Sequence, residues 1–303
     1  LMKQKRPLLK IFANTLIGIK NKMNNKLGVM QGRLVPKYQD RYQAFPIGMW
    51  QDEFKVASEC GLDLIEFILD FNDAEENPLL KSGGVDEIKL TMKETGVSVK
   101  TICADYFMEA PLHSSDNEVV KKSFSVLERL IEAAKTLKIT DIVIPCVDQS
   151  SLETEDAVDR FVKQVSKVIP IIEKENINLS LETDLEPKPF IELLIKINSN
   201  NITVNYDIGN SAALGFDSDE ELSAYGDRIT DIHIKDRALG GGPVTLGRGS
   251  ADFDKFFNKL REFNYQGPFI MQAYRDDEGV AIFKNQLNWI KEYLRRYEFK
   301  SYQ

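Results

Sequence analysis

Residues 231–236 read Asp-Ile-His-Ile-Lys-Asp, a strict alternation of polar and apolar side chains around one of only two histidines in the chain. An alternation of period two places its two sets of side chains on opposite faces of a β-strand. The same pattern recurs in INLSLE (177–182) and ITVNYD (202–207). In the first, Ile177, Leu179 and Leu181 oppose Asn178, Ser180 and Glu182. In the second, Ile202, Val204 and Tyr206 oppose Thr203, Asn205 and Asp207. A parallel strand covered on both sides ordinarily reads as a continuous apolar run. Three strands that keep one face polar therefore point that face into a closed interior, with the apolar face against an outer layer.

Outward from these strands, short apolar runs alternate with helical patterns from residue 26 onward. Strands are expected at 26–30, 62–69, 97–103, 140–146, 177–182, 201–207, 229–235 and 267–272. Helices are expected at 49–61, 84–96, 115–137, 153–175, 188–197, 217–225, 252–263 and 280–296. Strand–helix alternation implies a parallel sheet with helical crossovers. Eight such units in one chain of this size predict a single-domain α/β protein, a (β/α)₈ TIM barrel over residues 26–303. A doubly wound open sheet is the alternative, but no GxGxxG follows the first strand. The Gly-rich stretch 240–249 lacks the Lys-Ser/Thr of a phosphate loop, so it is expected as a mobile loop over the barrel mouth.

Composition narrows the function. The 303 residues carry a formal charge of −8, which argues against a nucleic-acid partner, because such proteins need a basic face. The three cysteines form no CxxC pair, which reads as a reducing, cytoplasmic setting without disulfides or a zinc knuckle. No apolar run is long enough to span a membrane. Residues 1–25 carry six cations and no acid. That segment reads either as a membrane-surface or targeting helix or as a loosely ordered extension.

Buried charges are costly unless paired or bound to metal. Glu182, Asp207 and His233 each fall near the end of a strand, 25 and 26 residues apart (207 − 182 and 233 − 207), about one strand–helix unit each. They are expected on consecutive strands at one level of the mouth, where barrel sites are built. Gln272 takes the corresponding place on the eighth strand. Two carboxylates, an imidazole and an amide oxygen suit one divalent ion such as Mn²⁺, Co²⁺, Mg²⁺ or Zn²⁺. The plainer reading of the same residues is a satisfied hydrogen-bond network inside the barrel.

With these residues placed, the chain resembles the xylose isomerase-like barrels, a superfamily of sugar-phosphate isomerases and epimerases. The resemblance runs from 26 to about 297 and rests on GVMQGRL (28–34), FPIGMWQDEFKVASECGLDLIEFI (45–68), SLETD (180–184), NYDIGN (205–210), DIHIKD (231–236), VTLGRGSADF (244–253) and IMQAYR (270–275). It implies one divalent metal held by Glu, Asp, His and Glu on strands five to eight, which fall here on Glu182, Asp207, His233 and Gln272. The last is a departure, because an amide ligates through its oxygen but takes up no proton. The resemblance also implies proton transfer through an enediolate, with Glu182 as base. Epimerisation commonly uses a carboxylate on each face, and Gln272 removes one of them. The reading therefore leans to aldose–ketose isomerisation of a small sugar or sugar phosphate. A 3-epimerase or a dehydratase is the alternative, a non-catalytic sugar-binding barrel is the alternative of another class, and an abasic-site endonuclease is a remote one.

A second acid is open to Glu66, Asp105, Asp148 or Asp236, all near expected strand ends. Glu66 also matches an acid that the family places by the substrate, and Lys235, which shares the inward face of His233, is the first of the cations expected to contact substrate oxygen; both join Glu182 as candidate catalytic residues. Arg33, Asp105, His113, Asp236, Arg237, Arg248 and Arg275 are candidates for binding sugar hydroxyls or a phosphate. Each of these has a plainer reading as a rim or interior ion pair, or for His113 as a loop residue. Phe45 and Trp50 read as a wall for the sugar or as core. Exposed helices of such barrels often pair, so a homo-oligomer is a further expectation.

Overall fold

A computed structural model describes residues 24–299 of the chain. Eight parallel strands close into a barrel: β1 (Leu27–Met30), β2 (Leu64–Ile68), β3 (Ser98–Cys103), β4 (Asp141–Cys146), β5 (Asn178–Thr183), β6 (Ile202–Asp207), β7 (Ile229–Ile234) and β10 (Phe269–Met271). Their order around the ring is β1-β10-β7-β6-β5-β4-β3-β2, so β3 lies diametrically across from β7. Two further strands, β8 (Asp236–Arg237) and β9 (Pro243–Val244), form a small antiparallel hairpin just beyond β7. The (β/α)₈ expectation holds: seven barrel strands fall within their expected strands, and β5 runs one residue past its expected end, to Thr183.

Helices sheathe the barrel because their apolar residues recur at helical spacing. In α1 (Trp50–Glu59) the stripe is Trp50, Phe54 and Ala57; in α10 (Phe253–Leu260) it is Phe253, Phe256, Phe257 and Leu260. α2 (Gly84–Thr95), α4 (Asn117–Leu137), α7 (Pro187–Ile197), α9 (Ser218–Tyr225) and α11 (Val280–Arg296) follow the sequence reading closely. The expected helix at 153–175 is two helices, α5 (Glu155–Val165) and α6 (Ile169–Glu175), because Pro170 can open a helix but not continue one. Two short helices were not foreseen: α3 (Tyr106–Glu109) after β3, and α8 (Ile208–Leu214) directly after β6. Trp50 and Phe45 are core: both pack on Phe67, with ring centroids 5.6 and 5.5 Å away.

The barrel interior is divided. Met30, Leu64, Cys103, Val143 and Ile270 form an apolar plug contributed by β1, β2, β3, β4 and β10. The polar side chains of β5, β6 and β7 occupy the other half, all buried: Ser180, Glu182, Thr203, Asn205, Asp207, Asp231 and His233. Low down, Thr230 links Thr203 (2.7 Å) and Ser180 (3.2 Å), so hydroxyls satisfy one another there.

Of the basic segment 1–25, all but Asn24 and Asn25 lies outside the described residues. Asn25 belongs to the barrel floor, where its Nδ2 donates to the carbonyls of Tyr265 (3.0 Å) and Gly267 (2.8 Å). No helix among the described residues is long and apolar enough to cross a membrane.

Candidate metal and active site

Glu182, Asp207 and His233 converge at the top of the polar half, with ligand atoms all within 4.8 Å of one another. His233 Nδ1 lies 3.5 Å from Glu182 Oε2 and 3.9 Å from Asp207 Oδ2. Donors that hold one ion at about 2.0–2.2 Å stand roughly 3–4 Å apart, so the spacing fits a small divalent cation. The other imidazole nitrogen, Nε2, lies 2.8 Å from Glu66 Oε1. Donation from Nε2–H to that carboxylate leaves the Nδ1 lone pair facing Glu182 and Asp207, the tautomer a metal needs.

The electrostatics ask for a cation. Burial disfavours a charged imidazole, yet Glu66 and Glu182 outweigh it and raise the His233 pKa well above its ordinary value. Burial also raises the Asp207 carboxyl, against the pull of Lys235, whose Nζ stands 3.3 Å from Asp207 Oδ2. Below, burial and the neighbouring Glu66 charge push Asp231 far upward.

Two asparagines that the sequence reading did not single out orient the carboxylates. Asn205 Nδ2 donates to Glu182 Oε2 (2.9 Å) and lies 3.1 Å from His233 Nδ1. Asn210 Nδ2 donates to Glu182 Oε1 (2.6 Å), and the Asn210 backbone N–H donates to Asp207 Oδ1 (2.8 Å), capping α8. Asn205 shares the inward face with Asp207, and Asn210 follows Asp207 by three residues, the spacing of a side chain that caps a helix. Those were the available signals. α8 passes so close to β7 that a Cβ on Gly209 would stand 2.7 Å from Lys235 Cγ, so glycine is required there.

The remaining candidates fall in three places. Gln272 is buried beside the mouth; its Nε2 donates to Gln43 Oε1 (3.3 Å) and Met30 Sδ (3.3 Å), and its Oε1 has no partner among the described residues. Asp105, partly exposed at the end of β3, accepts from Gln43 Nε2 and from the Cys103 thiol (3.1 Å). Gln43 lies in a loop with no regular pattern, and nothing in the sequence marked it. Arg237 donates to Asn210 Oδ1 (2.8 Å), which extends the chain of contacts to Glu182.

Other candidates are committed to the scaffold. Glu66, for which the resemblance implied a place beside the substrate, is wholly buried with Oε1 against His233 Nε2. Arg33 and Arg275 are both buried. Arg33 holds the Tyr42 carbonyl (2.9 Å) and Gln43 (2.7 Å), and Arg275 holds the carbonyls of Gly32, Val35 and Asp277. Asp236 receives the backbone N–H groups of Arg248 (3.1 Å), Gly249 (2.8 Å) and Ala251 (3.2 Å). The Gly-rich stretch is thus anchored by a carboxylate and by the β8–β9 hairpin, where mobility was expected. Arg248 projects from it, exposed. His113 is buried against Phe161 of α5, ring centroids 6.0 Å apart, so it is not the surface-loop residue of its plainer reading. Asp148 is exposed, and its backbone N–H donates to Asp184.

Comparison with known proteins places this architecture. The family model described as "Xylose isomerase-like TIM barrel" matches residues 54–293. The chain belongs to that family. Among curated relatives of this xylose isomerase-like protein is the L-ribulose-5-phosphate 3-epimerase UlaE of Salmonella paratyphi A, 24% identical over 265 residues, covering 82% of this chain and 92% of the relative. Among solved structures, the 3-keto-D-glucoside 4-epimerase YcjR of E. coli superposes with a TM-score of 0.68 at 18% identity, covering 89% of this chain and 100% of that one. A xylose isomerase-like barrel protein of Mycobacterium smegmatis in complex with magnesium superposes with a TM-score of 0.68 at 16% identity, covering 90% of this chain and 98% of that one.

Proposed function

We propose that this protein is a divalent-metal-dependent enzyme that moves a proton beside the carbonyl of a small sugar or sugar phosphate, acting as an epimerase or isomerase with Glu182 as its base. The observation that carries the reading is the convergence of Glu182, Asp207 and His233 at one buried point of the mouth. Glu182, Asp207, His233 and the amide oxygen of Gln272 would hold the ion, with Mn²⁺, Co²⁺, Mg²⁺ and Zn²⁺ all compatible with that donor set. When bound, it supplies Lewis acidity that draws charge from the sugar carbonyl.

The chain's own groups account for the rest. Glu182 is held by two asparagine amides, one on each oxygen, which fixes its direction. Burial works to raise its pKa, but the contacts with His233 and the nearby Lys235 prevail and keep it lowered, so it stands ready as a carboxylate. A positioned carboxylate of this kind contributes about 10²–10⁴-fold to a proton transfer. Lys235, bonded to Asp207, brings a positive charge to the side of the mouth where an enediolate oxygen would develop charge.

The name of the curated relative supports epimerisation of a ketose phosphate. One observation favours aldose–ketose isomerisation as a second reading: Gln272 carries an amide where a second proton acceptor would serve an epimerase. The test is incubation with each divalent ion and a panel of ketoses, aldoses and their phosphates in D₂O, followed by NMR. The expected result is metal-dependent exchange at the carbon beside the carbonyl, lost in Glu182→Gln. No exchange with any sugar and any ion would overturn the reading.

A further inference from the structure

Inversion at a carbon needs a proton removed from one face and another delivered to the opposite face. Glu182 serves one face. Of the four acids near strand ends, three are placed elsewhere. Glu66 is sealed under His233, Asp236 is enclosed by three backbone amides, and Asp148 is exposed in the turn after β4, where its N–H bonds Asp184. Asp70, also near the end of its strand, is paired with Arg41 at 3.1 Å.

Asp105 differs from all of these. It stands just past the end of β3, across the barrel from β7 and two strands round the ring from β5, which carries Glu182, so the two carboxyls would approach a sugar lying over His233 from different sides of the mouth. It is partly exposed, and it has no cationic partner within ion-pair distance among the described residues. Its contacts are the Gln43 amide and the Cys103 thiol, neither of which neutralises a carboxylate. A single amide, that of Gln43, bonds Asp105 through its nitrogen and Gln272 through its oxygen. The carboxyl missing at position 272 is thus present one amide away.

We propose that Asp105 is the second proton-transferring group of this site, delivering a proton to the face of the substrate opposite Glu182, so that the enzyme inverts its substrate carbon despite Gln272. This assignment rests on the proposed function. Glu182 breaks the C–H bond and takes the proton, and the electron pair passes into the enediolate. The Asp105 carboxyl then gives its proton to the carbon as the pair returns to form the new C–H bond. Glu182 is left protonated and Asp105 ionised, and both return to their starting states through solvent at the mouth. Burial, with the Glu182 charge adding to it, raises the Asp105 pKa from its ordinary value, which favours retention of the proton to be delivered.

The experiment is the D₂O assay on the metal-loaded protein, scoring deuterium exchange into recovered substrate separately from formation of the epimer. The native chain is expected to do both. Asp105→Asn is expected to keep exchange into substrate of unchanged configuration while epimer formation falls by about 10²-fold or more. Thermal melting of the variant checks that it is folded, and the double variant Asp105→Asn with Gln272→Glu is expected to recover inversion. Inversion at the native rate in Asp105→Asn, or equal loss of exchange and inversion in a folded variant, overturns the assignment. A native protein that exchanges the proton and never inverts the centre also overturns it, while leaving the role of Glu182 standing. A native protein that does neither overturns the function on which both depend.

Discussion

His233 Nε2 and Glu66 Oε1 lie 2.8 Å apart with both side chains fully buried, so the imidazole is fixed from below before anything binds above. Partners that fix a ligating imidazole in this way typically change metal affinity by about 10–100-fold when lost. Glu66→Ala is therefore expected to weaken Mn²⁺ binding by that factor, measured by titration calorimetry. Unchanged affinity in a folded variant would show that the contact is only packing.

Glu182→Gln is expected to lower kcat by about 10²–10⁴-fold with a smaller effect on KM, since the amide cannot accept the proton. The variant also turns one NH₂ toward the NH₂ of Asn205 or Asn210, so a modest fall in melting temperature should accompany it. Steady-state kinetics beside a thermal melt separates the two effects.

Asp236 is fully buried and gathers three backbone amides. Asp236→Ala leaves those donors unsatisfied, at a cost of about 1–3 kcal/mol for each that stays dry. Hydrogen exchange at 244–251 is expected to quicken, and limited proteolysis to cut there first. Protection equal to the native chain would show that the β8–β9 hairpin alone holds the loop.

Glu53 is fully buried and accepts the backbone N–H groups of Gly32 (2.8 Å) and Leu34 (2.9 Å). Burial outweighs these bonds and raises its pKa to about 7. Its unfolded-state value lies near 4.5, so the unfolded chain releases the proton first as pH rises. The stability from this group is whole below about pH 4.5 and lost as pH rises toward 7. A shift of this size corresponds to about 3 kcal/mol over that window. Denaturant melts of the native chain and of Glu53→Gln across pH 4–8 should differ in slope in that sense; parallel curves would refute it.

The sequence carried the barrel because its signals were local: a period of two in DIHIKD, helical spacing in Phe253, Phe256, Phe257 and Leu260, and glycines and prolines between them. It carried Glu182, Asp207 and His233 because strand spacing alone sets their level. It could not carry Gln43, which reaches the mouth from an irregular loop, or the fate of the arginines. Arg33 and Arg275 look like anion binders in one dimension, and only the folded backbone presents the carbonyls that occupy them. Glu66 was visible as an inward acid, but whether it met substrate or imidazole depended on the height at which strands on opposite sides of the ring come together.

The cap on α8 bears on which ions this mouth would accept. Asp207 gives Oδ1 to the helix N-terminus and only Oδ2 faces His233 and Lys235; Glu182 likewise has each oxygen bonded to a separate asparagine amide. Each of these oxygens keeps a second lone pair for a single contact, but a grip with both oxygens of one carboxylate would compete with the bonds already made. Calcium, which favours six to eight oxygens and two-toothed carboxylates, is poorly served by such a donor set, whereas magnesium and manganese accept single-oxygen contacts completed by water or sugar hydroxyls. Denticity, set by a helix start and two amides, thus becomes a filter on cation size.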